Sequence, residues 1–137
     1  MPCRRSPLGL IQEDLRYEPW RLLVACLMLN QTSIRQVRPV IWTFFARWPT
    51  PEDAAEAGPD DMAETIRSLG LQRRRAGLLI RMSRAYTGWL PEQDVLELPG
   101  VGKYAADSYN MFIRGNVVTD VTDKELRKYV DWAVSNG

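Results

Sequence analysis

The residues best able to do chemistry lie in the last third of the chain, where an aspartate follows a glycine turn. The turn is Pro99-Gly100-Val101-Gly102-Lys103, and the aspartate, Asp123, comes about twenty residues later. Glycines on either side of one apolar residue let the backbone take positive φ and approach a partner closely. The N–H groups of such a turn, together with the N-terminus of a following helix, can bind an anion. The pattern therefore predicts a phosphate-binding turn and a candidate acid–base carboxylate.

Histidine is absent from the 137 residues, and cysteine occurs twice, as Cys3 and Cys26. Histidine-based triads and metal sites are therefore excluded, and zinc and iron–sulfur clusters need more thiolates or imidazoles than the chain has. One cysteine lies in a polar tail and the other in an apolar run, so we expect no disulfide and a reducing compartment. We predict no cofactor, and leave open only a monovalent cation at the glycine turn.

The length fits a single domain over residues 1–137. No apolar run is long enough to cross a bilayer, and residues 1–5 lack the apolar core of a signal peptide. We expect a monomeric intracellular protein without a membrane partner, in the cytoplasm or nucleoid, or in the nucleus if the source is eukaryotic.

The charges are segregated along the chain although the net charge is only +1. Six acids and no base occupy residues 52–64, and arginines then cluster at positions 73, 74, 75, 81 and 84. A basic face would suit DNA, whereas near-neutrality argues against it, and two solvated helix faces would give the same pattern. Charge alone favours neither interpretation.

The elements around these residues are predicted to be helical, because apolar residues recur at helical spacing and Pro or Gly ends each run. We expect an all-α fold, a compact bundle of short helices. The predicted helices cover residues 19–30 (central and buried), 34–45 with Ser33 as N-cap, 60–68 ending at Gly70, 78–90 stopped by Pro91, 92–97, 103–113 and 126–134.

The glycine turn would join the predicted helices over residues 92–97 and 103–113, the last two before Asp123. Gly-x-Gly alone is a weak signal, because αα-hairpins also use glycine for steric reasons. Between two helical patterns it favours a DNA-binding helix–hairpin–helix over a purely structural turn. Val101 would pack between the two helices and fix their angle.

With this hairpin, the sequence resembles the helix–hairpin–helix base-excision DNA glycosylases of the HhH-GPD superfamily. That family has its catalytic aspartate about twenty residues past the hairpin, after an apolar strand-like segment and at a helix start. Asp123 fits best, with Leu126 and Lys128 following as in the family pattern, and Asp120 fits less well. The match is nearest to the methyl-CpG-binding thymine glycosylases and is dispersed from about Arg5 to Trp132.

The resemblance implies an enzyme that flips a base out of the duplex and cuts its N-glycosidic bond. Asp123 would stabilise the oxocarbenium-like transition state and orient the attacking water; alternatively, it only caps the last helix. Tyr104 stands where bifunctional members have a nucleophilic lysine, which implies a monofunctional enzyme that leaves an abasic site. A core aromatic is the other interpretation of Tyr104.

The resemblance also assigns binding residues. Gln31, where the nearest relatives have arginine, would fill the gap left by the flipped base, and Leu71 would wedge the opposite strand. The Gln12 amide would contact a flipped pyrimidine, with Ile11 and Tyr104 lining the pocket, although a solvated glutamine is equally compatible with the sequence.

Two further assignments concern charged residues. Residues 99–103 would hold the DNA backbone, and Lys103 is expected to meet a phosphate. Glu125 stands where the nearest relatives have lysine, and nothing in the sequence explains that change.

The leading hypothesis is therefore a monofunctional DNA glycosylase for thymine, uracil or a 5-substituted uracil opposite guanine in double-stranded DNA. A non-catalytic DNA-binding module that uses only the hairpin is the alternative from another class. A glycosylase for adenine opposite oxidised guanine ranks lower, because the chain lacks the cluster cysteines common in that branch.

Overall fold

The computed structural model describes residues 5–116 and 118–136, and every regular element in them is helical. Cys3, the subject of one prediction, lies outside the described residues. The α-helices are α1 (Ile11–Asp14), α2 (Pro19–Leu29), α3 (Ile34–Arg47), α4 (Pro51–Ala55), α5 (Pro59–Thr65), α6 (Gln72–Tyr86), α7 (Lys103–Phe112) and α8 (Lys124–Ser135), with 3-10 turns at Arg67–Leu69 and Val95–Glu97. The predicted all-α bundle is confirmed. None of the helices in the described ranges is long and apolar enough to span a membrane.

Helix α2 forms the centre of the bundle, as its apolar sequence predicts. Pro19 occupies its first turn, where a missing N–H costs nothing. Eight consecutive or near-consecutive side chains, from Trp20 to Met28, are buried, and the helix contacts α1, α3, α6 and α7. A helix that is apolar on all sides needs such neighbours to exclude water from each face.

The start of α3 is fixed by the predicted cap. The Ser33 hydroxyl accepts a hydrogen bond from the Gln36 N–H at 3.3 Å, and the Gln36 side chain accepts one from the Ser33 N–H at 3.1 Å. These reciprocal bonds satisfy two N–H groups that the helix itself leaves unpaired. The cap therefore sets where the loop after α2 ends.

Three predicted helices differ from the observed elements. The predicted helix over 60–68 divides into α5 and the 3-10 turn Arg67–Leu69, after which Gly70 takes φ +78°. The helix predicted over 78–90 begins earlier, at Gln72, and ends at Tyr86. The helix predicted over 92–97 is only the 3-10 turn Val95–Glu97. The strand-like segment before Asp123 forms neither helix nor strand over residues 118–122.

Two prolines explain the short element before the glycine turn. Pro91 and Pro99 bracket it, and the residue before a proline is driven out of the α conformation; accordingly Leu98 is extended, with ψ 136°. The Arg114 guanidinium donates to the backbone carbonyls of Pro91 and Gln93, both at 2.7 Å. The 91–98 segment is thus held by Arg114, which follows α7, in addition to the bonds of its own 3-10 turn.

The glycine turn packs tightly on α6. Gly100 has φ +81°, and a Cβ at this position would lie 2.8 Å from the Leu78 side chain. Val101 is buried, and its N–H donates to the Leu98 carbonyl at 3.1 Å. Only glycine meets both demands at position 100, the positive φ and the close approach.

Candidate active site

One cavity of about 620 Å³ brings together residues that are far apart in the sequence. Among the predicted site residues, Ile11 and Gln12 come from α1, Gln31 from the loop between α2 and α3, and Tyr104 from α7. Asp123, at the start of α8, also lines it. The remaining wall is formed by residues 8–10, 29–30, 32–34, Arg38 and Glu125.

Asp123 is the N-cap of α8 and also faces the cavity. Its Oδ2 atom accepts hydrogen bonds from the N–H groups of Glu125 and Leu126, both at 3.0 Å. Within the described residues, nothing donates to its Oδ1 atom. The capping and catalytic interpretations of this residue are therefore compatible, because one oxygen holds the helix and the other is left for a ligand.

Asp120, the other candidate for the catalytic carboxylate, lies elsewhere. Its side chain is 84% exposed and sits 3.6 Å from the Lys103 ammonium. It is not among the residues that line the cavity. The geometry therefore favours Asp123 over Asp120.

Tyr104, which is partly buried, and Gln12, which is buried, form a polar pair in the cavity wall. The Gln12 amide nitrogen donates to the Tyr104 hydroxyl at 2.7 Å and to the Ser108 hydroxyl at 3.3 Å. Gln12 is only 3% exposed, so it is not the solvated glutamine that the sequence left open. With both amide protons engaged, the side chain has its carbonyl oxygen left to accept a hydrogen bond.

The Tyr104 hydroxyl stays protonated over the neutral and moderately alkaline range. Burial raises the pKa of Tyr104 well above its usual value, and the negative charge of the Asp123 carboxylate raises it further. A neutral phenol donates or accepts a hydrogen bond but is a poor nucleophile. Tyr104 therefore forms part of the cavity wall rather than a nucleophilic centre.

The hairpin presents an open helix N-terminus. No side chain caps α7 at Gly102. Lys103, in its first turn, contacts the Asp107 carboxylate at 2.9 Å, and this hydrogen bond raises the pKa of Lys103. The lysine remains a half-exposed cation beside free helix N–H groups, an arrangement that suits a phosphate.

Two loops have an unusual backbone beside the cavity. Gln31 (φ 64°) and Leu71 (φ 49°) are the non-glycine residues with positive φ in the described part of the chain. Both are exposed, Leu71 to 58%, and together they border a second, smaller cavity of about 120 Å³. Strained backbone and an exposed large apolar side chain are features that folding alone does not favour.

The arginine cluster at positions 73–84, which the sequence left open between a basic face and a solvated helix face, is partly structural. Arg73 pairs with Asp60 at 2.9 Å, and Arg84 donates to the Ala55 carbonyl at 2.9 Å. Arg75 donates only to backbone carbonyls among the described residues. Sequence analysis counted these arginines by charge and missed their contacts, which depend on tertiary neighbours.

Cys26 and Ser108 are further residues at this site that sequence analysis did not single out. Burial raises the pKa of the Cys26 thiol to about 12, a hydrogen bond with Ser108 lowers it in part, and the Asp123 charge raises it. The thiol therefore lies beneath the cavity as a neutral group. No cluster of three His, Cys, Asp or Glu side chains that could hold a metal ion occurs in residues 5–116 and 118–136.

We expect Cys26 to resist thiol reagents in the folded protein. In a Cys3→Ser variant, a chromogenic disulfide reagent at about pH 8 should modify no thiol until denaturant is added. Only the thiolate reacts with such a reagent, and burial suppresses the formation of the thiolate. Absorbance of the released chromophore measures this. A Ser108→Ala variant should be equally inert, and rapid modification of the native Cys3→Ser protein would contradict the expectation.

Comparison with known proteins places the chain in a repair family. Residues 24–136 match the family model described as HhH-GPD superfamily base excision DNA repair protein. The chain is 42% identical over 114 residues to a methyl-CpG-binding domain protein 4-like protein of Arabidopsis thaliana, covering 82% of this chain and 25% of that protein. It is 40% identical over 95 residues to a thymine-DNA glycosylase of Aeropyrum pernix, covering 65% of this chain and 43% of the relative.

A solved structure is similar as well. That of a thermostable thymine-DNA glycosylase superposes with a TM-score of 0.71 and 26% identity, over 87% of this chain and 55% of the other. The chain spans only 25% and 43% of the two curated relatives named above.

Proposed function

Because this chain belongs to the HhH-GPD superfamily of base excision DNA repair proteins, we propose that it is a monofunctional DNA glycosylase. Its substrate is a thymine, a uracil or a 5-substituted uracil opposite guanine, and its product is an abasic site. The single observation that carries the proposal is that Asp123, Tyr104 and Gln12 line one cavity beside the hairpin helix.

Asp123 supplies the chemistry in this proposal. Breaking the N-glycosidic bond leaves positive charge on the sugar, and a carboxylate beneath the anomeric carbon stabilises that charge. The same group orients a water molecule and takes its proton as the water attacks. The Asp123 Oδ1 atom is available for this, because the α8 N–H groups engage only Oδ2.

Gln12 accounts for the choice of base. Its amide protons are engaged by the Tyr104 and Ser108 hydroxyls, so its carbonyl oxygen acts as an acceptor. Uracil and thymine present an N3–H donor, whereas cytosine has a bare acceptor at N3. Gln12 and Tyr104 would therefore favour uracil and thymine over cytosine, and Ile11 would form an apolar wall of the pocket.

Tyr104 and Lys103 account for a monofunctional reaction. A phenol cannot form a Schiff base with the sugar, and the neighbouring Lys103 ammonium contacts the Asp107 and Asp120 carboxylates outside the cavity. Water is then the nucleophile, and the DNA strand stays intact after the base leaves.

The DNA contacts follow from the loops and the hairpin. Gln31 and Leu71 flank the space that a flipped nucleotide must leave, and the α7 N-terminus with Lys103 binds one phosphate without reading sequence. Uracil, thymine and 5-substituted uracils all fit the volume of the main cavity.

A base-release assay tests the proposal. We expect uracil or thymine to be released opposite guanine, with strand breaks appearing only after alkali treatment, because the product is an abasic site. The panel comprises duplexes with uracil, thymine and 5-hydroxymethyluracil, each opposite guanine and adenine, and a duplex with adenine opposite oxidised guanine. An undamaged duplex is the control, and gel electrophoresis is the readout. Breaks without alkali would indicate a lyase. If only adenine opposite oxidised guanine is released, the substrate is that adenine and not a pyrimidine. If no duplex releases a base, the non-catalytic module is favoured.

A further inference from the structure

A single arginine joins the two loops that carry Gln31 and Leu71. The Arg75 Nε atom donates to the Gly70 carbonyl at 3.0 Å, immediately before Leu71. Its Nη2 atom donates to the Asn30 carbonyl at 2.8 Å, immediately before Gln31. The two loops are therefore connected through one guanidinium, although they are about forty residues apart in the sequence.

The same guanidinium also fixes the end of the central helix. Its Nη1 atom donates to the Met28 carbonyl at 3.2 Å and to the Leu27 carbonyl at 3.4 Å. These carbonyls belong to the last turn of α2, where the Leu27 carbonyl also accepts the Asn30 N–H and the Met28 carbonyl also accepts the Thr32 hydroxyl. A cation at this end is also favoured by the helix dipole.

The residues next to these anchored carbonyls are the ones with left-handed backbone. Gln31 and Leu71 both have positive φ, a conformation that a Cβ disfavours and that persists only where the surroundings impose it. In each case the carbonyl of the preceding residue is held by Arg75. The contacts therefore restrain both loops at the points where the chain turns outward.

We propose that Arg75 is a positioning residue that holds the Gln31 and Leu71 loops in register with each other for insertion into DNA. The proposal rests on the proposed function, because insertion has a purpose only if a nucleotide is flipped. Arg75 itself does not serve as a phosphate contact, since its donors are directed to protein carbonyls. Its effect on DNA is exerted through the two loops.

Arginine is needed at this position because of its shape. The guanidinium is planar and presents five N–H donors in a rigid fork, which allows one side chain to reach one carbonyl in each loop and two more at the end of α2. A lysine would keep the positive charge but concentrate its donors at one nitrogen. Arg75→Lys therefore separates the geometry of the contacts from the charge.

The test measures base flipping directly. Arg75→Lys is made in an Asp123→Asn background, so that no base is lost, and 2-aminopurine fluorescence is followed in a duplex where the probe stands next to a G·U pair. We expect the fluorescence rise to fall about tenfold relative to Asp123→Asn alone, because a misplaced loop inserts poorly. Affinity for undamaged duplex should stay within about twofold, since phosphate binding depends on charge.

Arg84→Lys provides the matched control. Arg84 lies on the same helix and also donates to a backbone carbonyl, that of Ala55, but far from the two loops. The Arg84→Lys variant should lose about as much thermal stability as Arg75→Lys does. It should keep the full fluorescence rise when both variants are measured equally far below their melting temperatures.

The outcomes separate this proposal from the proposed function. A fluorescence rise in Arg75→Lys within about twofold of its parent, or an equal loss in Arg84→Lys, would overturn the role of Arg75. No rise with Asp123→Asn itself would also overturn it. If the Asp123→Asn protein flips the base but the chain with Asp123 releases no base, only the proposed function would be contradicted.

Discussion

Asp123→Asn is expected to lower base release by about a thousandfold or more while the fold and the DNA affinity stay nearly unchanged. Asparagine is nearly isosteric and caps a helix as well as aspartate does, so the two bonds to the Glu125 and Leu126 N–H groups can be kept. What is lost is the negative charge that would face the sugar. Stability and catalysis are thereby separated in one substitution.

Single-turnover base release from a G·U duplex measures the effect, with DNA binding measured in parallel. Asp120→Asn is the matched control, because that carboxylate lies in the same segment but outside the cavity. It should leave the rate within about threefold of the unmodified chain. If Asp123→Asn turns over normally, or Asp120→Asn is the variant that loses activity, the catalytic assignment is wrong.

The second large effect is expected from Glu13→Ala, which should lower the free energy of unfolding by about 3 kcal/mol. Glu13 is fully buried at the end of α1. Its carboxylate accepts hydrogen bonds from the Ser6 N–H, from the Ser6 hydroxyl at 2.9 Å and from the Leu10 N–H at 2.8 Å. Alanine would leave these donors without their acceptor and would open space in the interior.

Urea denaturation followed by circular dichroism measures this change. Glu13→Gln should cost less, because the amide keeps one oxygen acceptor of similar shape. Glu18→Ala is the control, because Glu18 is exposed and its ion pair with Arg21 is long, at 3.7 Å. This substitution should change the free energy of unfolding by no more than about 0.5 kcal/mol. A Glu13→Ala protein as stable as the Glu18→Ala protein would show that the buried contacts contribute little.

The helices that could be predicted from the sequence are those with a continuous periodic pattern. Helix α2 is apolar on all sides, and α3 has a capping residue at the right place, so local signals and tertiary packing agree. The division after α5 and the 3-10 turn before the hairpin could not be read from apolar spacing. Before the hairpin, the conformational limits beside Pro91 and Pro99 outweigh the periodicity.

The candidate site could be predicted only in part. The hairpin spacing and the resemblance to HhH-GPD proteins pointed to Asp123, Tyr104 and Gln12, and all three line one cavity. Arg75 was counted as one charge of a basic face, because no local pattern reveals that its donors reach two distant loops. Cys26 was read as a core residue, and its proximity to Ser108 depends on how α2 packs against α7.

The short segment between the two prolines has a consequence for how DNA is met. Its backbone is already restrained before any ligand arrives, because the two rings restrict φ at Pro91 and Pro99 and the Arg114 guanidinium holds two of its carbonyls. Association is weakened whenever flexible groups must become ordered. Here part of that entropy is lost in folding, so less of the binding free energy would be spent on ordering this segment when the turn docks on a nucleic-acid backbone.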